Sequence, residues 1–259
     1  MSILVTGGTR GIGREICRIL PNARGIGSAE CDLASLRDID AYVPPRNVQT
    51  LVLCAGVMGI THFLEDQKTE DGFDRCWQIN FLSQARLLLR MPWVKHVVYV
   101  SSAAAHGVRA RDLTSRFACH SRLLSYAASK AAMHGFLRVW SEKGEKRTYV
   151  CVDPGDVDTE IMRPVERASG PLALLKRVLR RRRDLVSPAA AARAVIAQQP
   201  MQEPHVSDAE SVELFEWVHR PHCGNSLNGD WVICAIIILA IGLILLMYCT
   251  IRRETSRPC

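Results

Sequence analysis

The sequence predicts an α/β fold, a doubly wound parallel sheet with a shortened second-strand region, followed by a C-terminal transmembrane helix. Three observations carry that expectation. Apolar runs of strand length alternate with longer helical patterns, a glycine-rich turn joins the first run to the first helix, and one long uncharged stretch stands near the end.

The first unit is the most informative. Ile3, Leu4 and Val5 are a buried-strand run, Thr6-Gly7-Gly8-Thr9-Arg10-Gly11-Ile12-Gly13 is the turn, and Glu15 to Leu20 continue the helix. Gly7 lets the chain reverse, Gly11 lets backbone approach a phosphate, and Gly13 lets the helix pack on its strand. The helix N-terminus then aims free N–H groups at an anion, typically a dinucleotide pyrophosphate, as in a Rossmann-type sheet.

The next elements follow in order. Between Asn22 and Leu33 there is room for about one strand, Arg24 to Asp32, so the sheet is expected to lack an edge unit. Leu36 to Tyr42 read as a helix, Thr50 to Cys54 as a strand ending in the turn Ala55-Gly56, and Glu70 to Leu89 as a long helix. Val97 to Val100 form a strand opening onto Ser101-Ser102. A polar, Arg-rich insert from His106 to Arg122 precedes a helix holding Tyr126 to Trp140, and Tyr149 to Val152 make a strand ended by Pro154-Gly155.

Composition sets the bounds. A chain of 259 residues with 48% hydrophobic content fills one large core with an appendage. Lys plus Arg number 33 against 26 Asp plus Glu, a basic balance that suits anionic lipid or a phosphate cofactor and does not require nucleic acid. The ten cysteines show no CxxC pair or metal-ligand spacing and read as reduced, small apolar residues. His106, His120 and His134 share no ligand spacing, so no metal is expected. The first strand opens at the second residue, so no signal peptide is expected before it.

The chemistry concentrates on Tyr126-Ala127-Ala128-Ser129-Lys130. A phenol and an ammonium four residues apart share a helix face. A phenol of pKa about 10 is a poor base near neutrality, and a fixed cation beside it favours phenolate, so Tyr126 can exchange a proton with an alcohol or carbonyl oxygen. Ser102 follows a buried strand, where its hydroxyl would face the cleft, and Asn80 lies on the preceding long helix.

The TGxxxGIG spacing together with Asn80, Ser102, Tyr126 and Lys130 resembles the short-chain dehydrogenase/reductase family. Thr69-Glu70-Asp71-Gly72-Phe73-Asp74 and the long insert before Tyr126 resemble its retinol-dehydrogenase-like branch. The resemblance runs over roughly Ser2 to Pro200. It implies that Asn80 organises a proton-relay water, Ser102 polarises the substrate oxygen, Tyr126 is the acid/base, and Lys130 lowers the tyrosine pKa while holding the nicotinamide ribose. It also implies a cofactor site of Gly7, Thr9, Arg10, Gly11, Ile12, Gly13, Asp32, Leu33, Ala55, Gly56, Tyr126 and Lys130, with Pro154, Gly155, Val157 and Thr159 closing over nicotinamide. Arg10 in the turn implies a preference for NADP(H), with NAD(H) as the alternative, because a guanidinium pairs well with a 2′-phosphate. Two features depart from the family. Leu53-Cys54-Ala55-Gly56 lacks the two amides that brace the central sheet, and the second-strand region is short.

Trp231 to Ile251 is 21 residues without a charge, about 31 Å of helix, enough to cross a hydrocarbon core of about 30 Å. Trp231 and Tyr248 suit the interfaces, and Arg252-Arg253 stop the run. The expected layout is a catalytic domain over 1–200, a polar linker over 201–230, the span over 231–251 and a short basic tail over 252–259. A tail-anchored arrangement puts the domain in the cytosol, on the endoplasmic reticulum or mitochondrial outer membrane. Pro171 to Asp184, with Leu172, Leu175 and Leu179 beside Lys176, Arg177 and Arg180 to Arg183, reads equally as a lid over the cleft or a helix lying on anionic lipid. The expected partners are a lipophilic substrate, retinoid- or steroid-like, and membrane lipid, with self-association left open. A non-catalytic, membrane-tethered binding or scaffold protein is the alternative that the two departures keep open.

Overall fold

A computed structural model describes residues 2–58, 68–107, 122–158, 185–198, 200–202, 204 and 206–219. Among the described residues five parallel strands, β1 (Ser2–Thr6), β2 (Ala23–Ile26), β3 (Val48–Leu53), β4 (His96–Val100) and β5 (Thr148–Val152), form one sheet in the order β2-β1-β3-β4-β5. The short second-strand region leaves β2 at the sheet edge. Consecutive β-strand side chains face opposite sides, and the sequence uses both. Val5, Val52, Val98, Val100 and Val152 meet α1 (Gly11–Ile19) and α6 (Pro188–Ile196) through Ile16, Ala192 and Val195. Leu4, Leu51, Leu53, Val97, Tyr99 and Cys151 point the other way, into the larger core shared with α2 (Leu36–Ala41), α4 (Ser83–Leu89), α5 (Arg122–Glu142) and α7 (Asp208–His219).

Two elements differ from the sequence reading, each for a local reason. The strand expected over Arg24 to Asp32 stops at Ile26, because Gly27 O accepts both Glu30 N and Cys31 N at 3.0 Å and closes a turn. The helix expected from Glu70 begins instead as α3 (Arg75–Trp77). Gly72 at φ 81° and the bond from Thr69 N to Phe73 O, 2.9 Å, turn the chain first, and the Asp74 carboxylate then accepts Trp77 N at 2.9 Å as an N-cap. α3 runs into α4 through one wide π turn, Gln78–Leu82.

The stretch read as a polar linker over 201–230 contains α7, which packs on α5. Its core side holds Leu214, Phe215 and Val218, 1%, 8% and 2% exposed, and each such burial is worth about 1.5–3 kcal/mol. Ser207 and Glu210 cap its start reciprocally, Ser207 N to Glu210 Oε2 at 2.9 Å and Glu210 N to Ser207 Oγ at 3.4 Å. Gly135 permits the close approach, since a Cβ there would lie 2.9 Å from both Ser211 Oγ and Val206 Cγ1. Trp217 adds ring contacts to Phe73, Trp77 and Phe81. Met1–Gly224 is one compact unit and Asn225–Cys259 a second.

Among the described residues no helix is long and apolar enough to cross a membrane. Trp231 to Ile251 lie outside them, as do Pro171 to Asp184, Thr159 and most of the insert before α5.

Candidate active site

The site begins at the carboxyl end of β1. Gly7 at φ 67° and Gly11 at φ 54° occupy the left-handed region open to glycine, and a Cβ on Gly13 would lie 2.4 Å from Gly7 O. The helix therefore seats directly on its turn. Gly8 meets Gly25 of β2 in the same way, a Cβ on Gly8 falling 2.2 Å from Gly25 Cα. α1 has Arg10 as its N-cap residue, no side-chain cap and no acid in its first turn, so its first N–H groups are open to an anion without a competing carboxylate. Thr9 and Arg10 are exposed beside Ile12, and Thr9 lies over Gly27, where a Cβ would come within 2.7 Å of Thr9 Cγ2.

The amides missing from Leu53-Cys54-Ala55-Gly56 are replaced from elsewhere. Thr6 Oγ1 accepts Cys54 N at 3.0 Å and Ala55 N at 3.1 Å, and donates to Gln84 Oε1 at 3.0 Å. Gln84 Nε2 returns to Ala55 O at 3.0 Å and also meets Ile79 O and Asn80 O, carbonyls of the π turn, at 3.3 and 3.1 Å. One buried hydroxyl and one buried amide thus brace the turn against both β1 and the π turn. Asp32 is half-buried with Oδ1 accepting Ala34 N at 2.9 Å, while Leu33 is a core residue whose carbonyl accepts Ser83 Oγ at 2.7 Å.

Asn80 sits on the π turn with its side chain fully buried and engaged. Oδ1 accepts Val57 N at 2.8 Å, and Nδ2 donates to Val57 O at 2.9 Å and to Ser129 Oγ at 3.1 Å. Ser129 donates to Tyr126 O at 2.7 Å. The backbone after Gly56 is thereby tied to the turn of α5 that carries Tyr126.

The two serines after β4 differ in burial and in partner. Ser101 is buried, its Oγ 2.7 Å from His134 Nε2, whereas Ser102 is half-buried, accepts Ala104 N at 3.3 Å and favours the ionised form of the Tyr126 phenol. Ser102 is therefore the serine on the tyrosine. Burial holds His134 neutral, pushing its imidazole down to about 3, with His106 and Lys130 adding repulsion.

Lys130 comes one helical turn after Tyr126. Its Nζ donates to Val100 O at 2.9 Å and lies 5.1 Å from the Tyr99 ring centre and 5.8 Å from that of Tyr126. A protonated amine carries three donors, so this buried group keeps capacity for further acceptors. Gly56 borders it, because a Cβ there would meet only Asn80 Oδ1 and Lys130 Nζ, both at 3.6 Å. Burial lowers the Lys130 amine to about 8, against the neighbouring Cys54, Cys76, Asp153 and Cys151, which favour its charge. Burial also raises the Tyr126 phenol above its ordinary value, Ser102 opposing and Cys76 and Asp153 adding to the rise. The sequence reading expected Lys130 to pull that phenol down. In this structure desolvation wins and keeps Tyr126 a proton donor.

Beyond β5, Pro154 leads to Gly155 at φ 74°, and Val157 bridges Val186 ahead of α6. Sequence reasoning missed Thr6, Gln84, Ser129 and Asp153 as parts of the site. Gln84 carried a signal, standing one turn after Asn80 on the same helix face.

An anion-ready helix start, with a serine, a protonated phenol and a buried amine at the carboxyl edge of a parallel sheet, defines a dinucleotide-dependent oxidoreductase. The residues present fit such a cofactor, since the uncapped α1 start suits its phosphates and the spare donors of Lys130 suit ribose hydroxyls. A family model described as short chain dehydrogenase matches residues 23–170, and the chain belongs to the short-chain dehydrogenase/reductase family. It is an oxidoreductase of that family, working between alcohol and carbonyl with NAD(P)(H).

Its relatives include a polyprenol dehydrogenase from Danio rerio, 30% identical over an alignment 224 positions long that covers 66% of this chain and 68% of the relative. A polyprenol dehydrogenase from Mus musculus is 34% identical over an alignment 190 positions long that covers 63% of this chain. The chain spans about half, 54%, of that relative's length. Among solved structures, the 3-alpha-hydroxysteroid dehydrogenase from Pseudomonas sp. B-0831 complexed with NADH shares the fold at TM-score 0.57 and 19% identity, over 76% of this chain and 88% of that one.

Proposed function

We propose that this chain is a membrane-anchored, NADP(H)-preferring oxidoreductase that interconverts an alcohol and a carbonyl on a lipophilic substrate. The observation that carries the chemistry is Tyr126, acted on by Ser102 and one turn before the buried Lys130, whose Nζ lies 5.8 Å from the Tyr126 ring centre. Bound cofactor supplies or accepts the hydride. Ser102 holds the substrate oxygen beside the phenol, and Tyr126, kept protonated by burial, delivers its proton to that oxygen in the carbonyl-reducing direction. Lys130 holds ribose hydroxyls and offsets the charge left on the phenolate. Asn80 and Ser129 position the helix turn beneath them.

The preference for NADP(H) is supported at both ends of the adenosine half. β2 ends on Ile26 and is followed by Gly27 and Ser28, so no carboxylate stands where one would bind a 2′-hydroxyl and repel a 2′-phosphate. Glu30 is 2.5 Å from Arg24, which occupies its charge. The Arg10 side chain is free of any capping role at the phosphate turn. The full chain is expected to bind NADPH more tightly than NADH in a fluorescence titration. Arg10→Ala should narrow that gap by about 1–3 kcal/mol, the scale of a charge-assisted hydrogen bond. Equal affinities of the unmutated chain for the two cofactors would refute the preference.

Substrate class follows from the anchor and the relatives. A retinoid, a steroid or a polyisoprenoid fits, the last because two relatives are named polyprenol dehydrogenase. Such molecules partition into bilayers, and Trp231 to Ile251 would hold the enzyme where they reside, with the folded unit on the cytosolic face. The full chain should stay with membranes through alkaline carbonate washing, and deletion of Trp231 to Cys259 should move it to the soluble fraction. A deleted chain that still pellets would contradict the anchor.

A further inference from the structure

Asp153 is the first residue after β5 and has no part in the chemistry assigned above. Its place is fixed by the sheet. Val100 and Val152 are paired in register, and Ser101 N donates to Val152 O at 2.8 Å, so Asp153 emerges level with the serine segment at the carboxyl edge. Cys151 faces the α5 side of the sheet and Val152 the α1 side, and the alternation returns Asp153 to the side from which Tyr126 and Lys130 reach the cleft. Asp153 is only half-buried, and its Oδ1 accepts Gly155 N at 3.0 Å, which folds the Pro154-Gly155 turn. Among the described residues it has no ion-pair partner, and both Tyr126 and Lys130 feel its charge.

A negative group here matters because the two forms of the cofactor differ in charge at the reacting ring. The oxidised nicotinamide is a pyridinium cation, and the reduced ring is neutral. We propose that Asp153 is a charge on the nicotinamide half of the site that favours the oxidised cofactor over the reduced one and so biases the bound equilibrium toward carbonyl reduction. The proposal rests on the cofactor reading above. In that direction the carbonyl carbon accepts a hydride from the reduced cofactor, the C=O π bond opens, the oxygen accepts the Tyr126 proton, and an alcohol and a pyridinium result. A proton from solvent restores the phenol.

The test titrates NADP+ and NADPH separately into the detergent-solubilised full chain, following tryptophan fluorescence, for the unmutated protein, Asp153→Asn and Asp153→Glu. Asn keeps an acceptor for Gly155 N and removes only the charge, so folding of the turn is preserved. Asp153→Asn should weaken NADP+ on the order of fivefold while NADPH changes by less than about twofold, as a lone charge at several ångströms predicts. Asp153→Glu should restore most of the NADP+ affinity. Equal losses for both forms, or no loss for either, would overturn the assignment and leave the cofactor reading standing. An unmutated chain that binds neither form would overturn both.

Discussion

Tyr126→Phe is expected to lower turnover of a lipophilic carbonyl by about 10²-fold or more, the scale of general acid catalysis, with NADPH affinity nearly unchanged. Hydride reaching a carbon must be matched by a proton at its oxygen, and phenylalanine keeps the ring while removing the transferable proton. The geometry makes the comparison clean. The Tyr126 backbone carbonyl, not its hydroxyl, receives Ser129, so the turn of α5 keeps its tie to Asn80 in the variant. What the variant removes is the phenol oxygen, on which Ser102 acts. Steady-state rates and a cofactor titration on one preparation check both halves. An unchanged rate would remove Tyr126 from its role.

Lys130→Met should damage binding and turnover together, each by about tenfold or more, because one ammonium serves both ribose and phenol. Methionine fills much of the volume, which limits collapse of a site where Lys130 is 4% exposed. The unmutated enzyme should show the same dependence through pH. The Lys130 amine is lowered by burial to about 8, so the cation is present below that value and is lost as pH rises through it. NADPH affinity and kcat/KM for reduction should therefore fall above about pH 8. In Lys130→Met that limb should disappear, and a limb that persists would belong to another group.

The parts of this protein that were legible in the sequence are those whose chemistry is local. The turn from Gly7 to Gly13 is dictated by glycine conformations within one strand and one helix, and the pair Tyr126 and Lys130 by helical spacing. The alternation of Val97, Val98, Tyr99 and Val100 reads directly as a strand buried on both faces. What was not legible depends on partners far along the chain. Thr6 and Gln84 are 78 positions apart, and neither reads as a brace until the sheet and the π turn bring them together. The charges of Asp208, Glu210, Glu213 and Glu216 masked the apolar face of α7, although Ser207 and Glu210 had the spacing of a capping box. Asp74 and Gly72 delayed the helix expected from Glu70 by a turn that propensity alone does not disclose. Desolvation was invisible too, which is why the phenol of Tyr126 moves opposite to the expectation from Lys130 alone.

The central claim is hydride transfer from NADPH to a lipophilic carbonyl with Tyr126 supplying the proton. Its most direct measurement incubates the detergent-solubilised full chain with NADPH deuterated at the transferable C4 position and a long-chain isoprenoid aldehyde, then weighs the product by mass spectrometry. One deuterium on the carbinol carbon of the alcohol, formed by the unmutated chain and about 10²-fold more slowly by Tyr126→Phe, is the predicted result. An alcohol without deuterium, or equal rates from the two proteins, would contradict it.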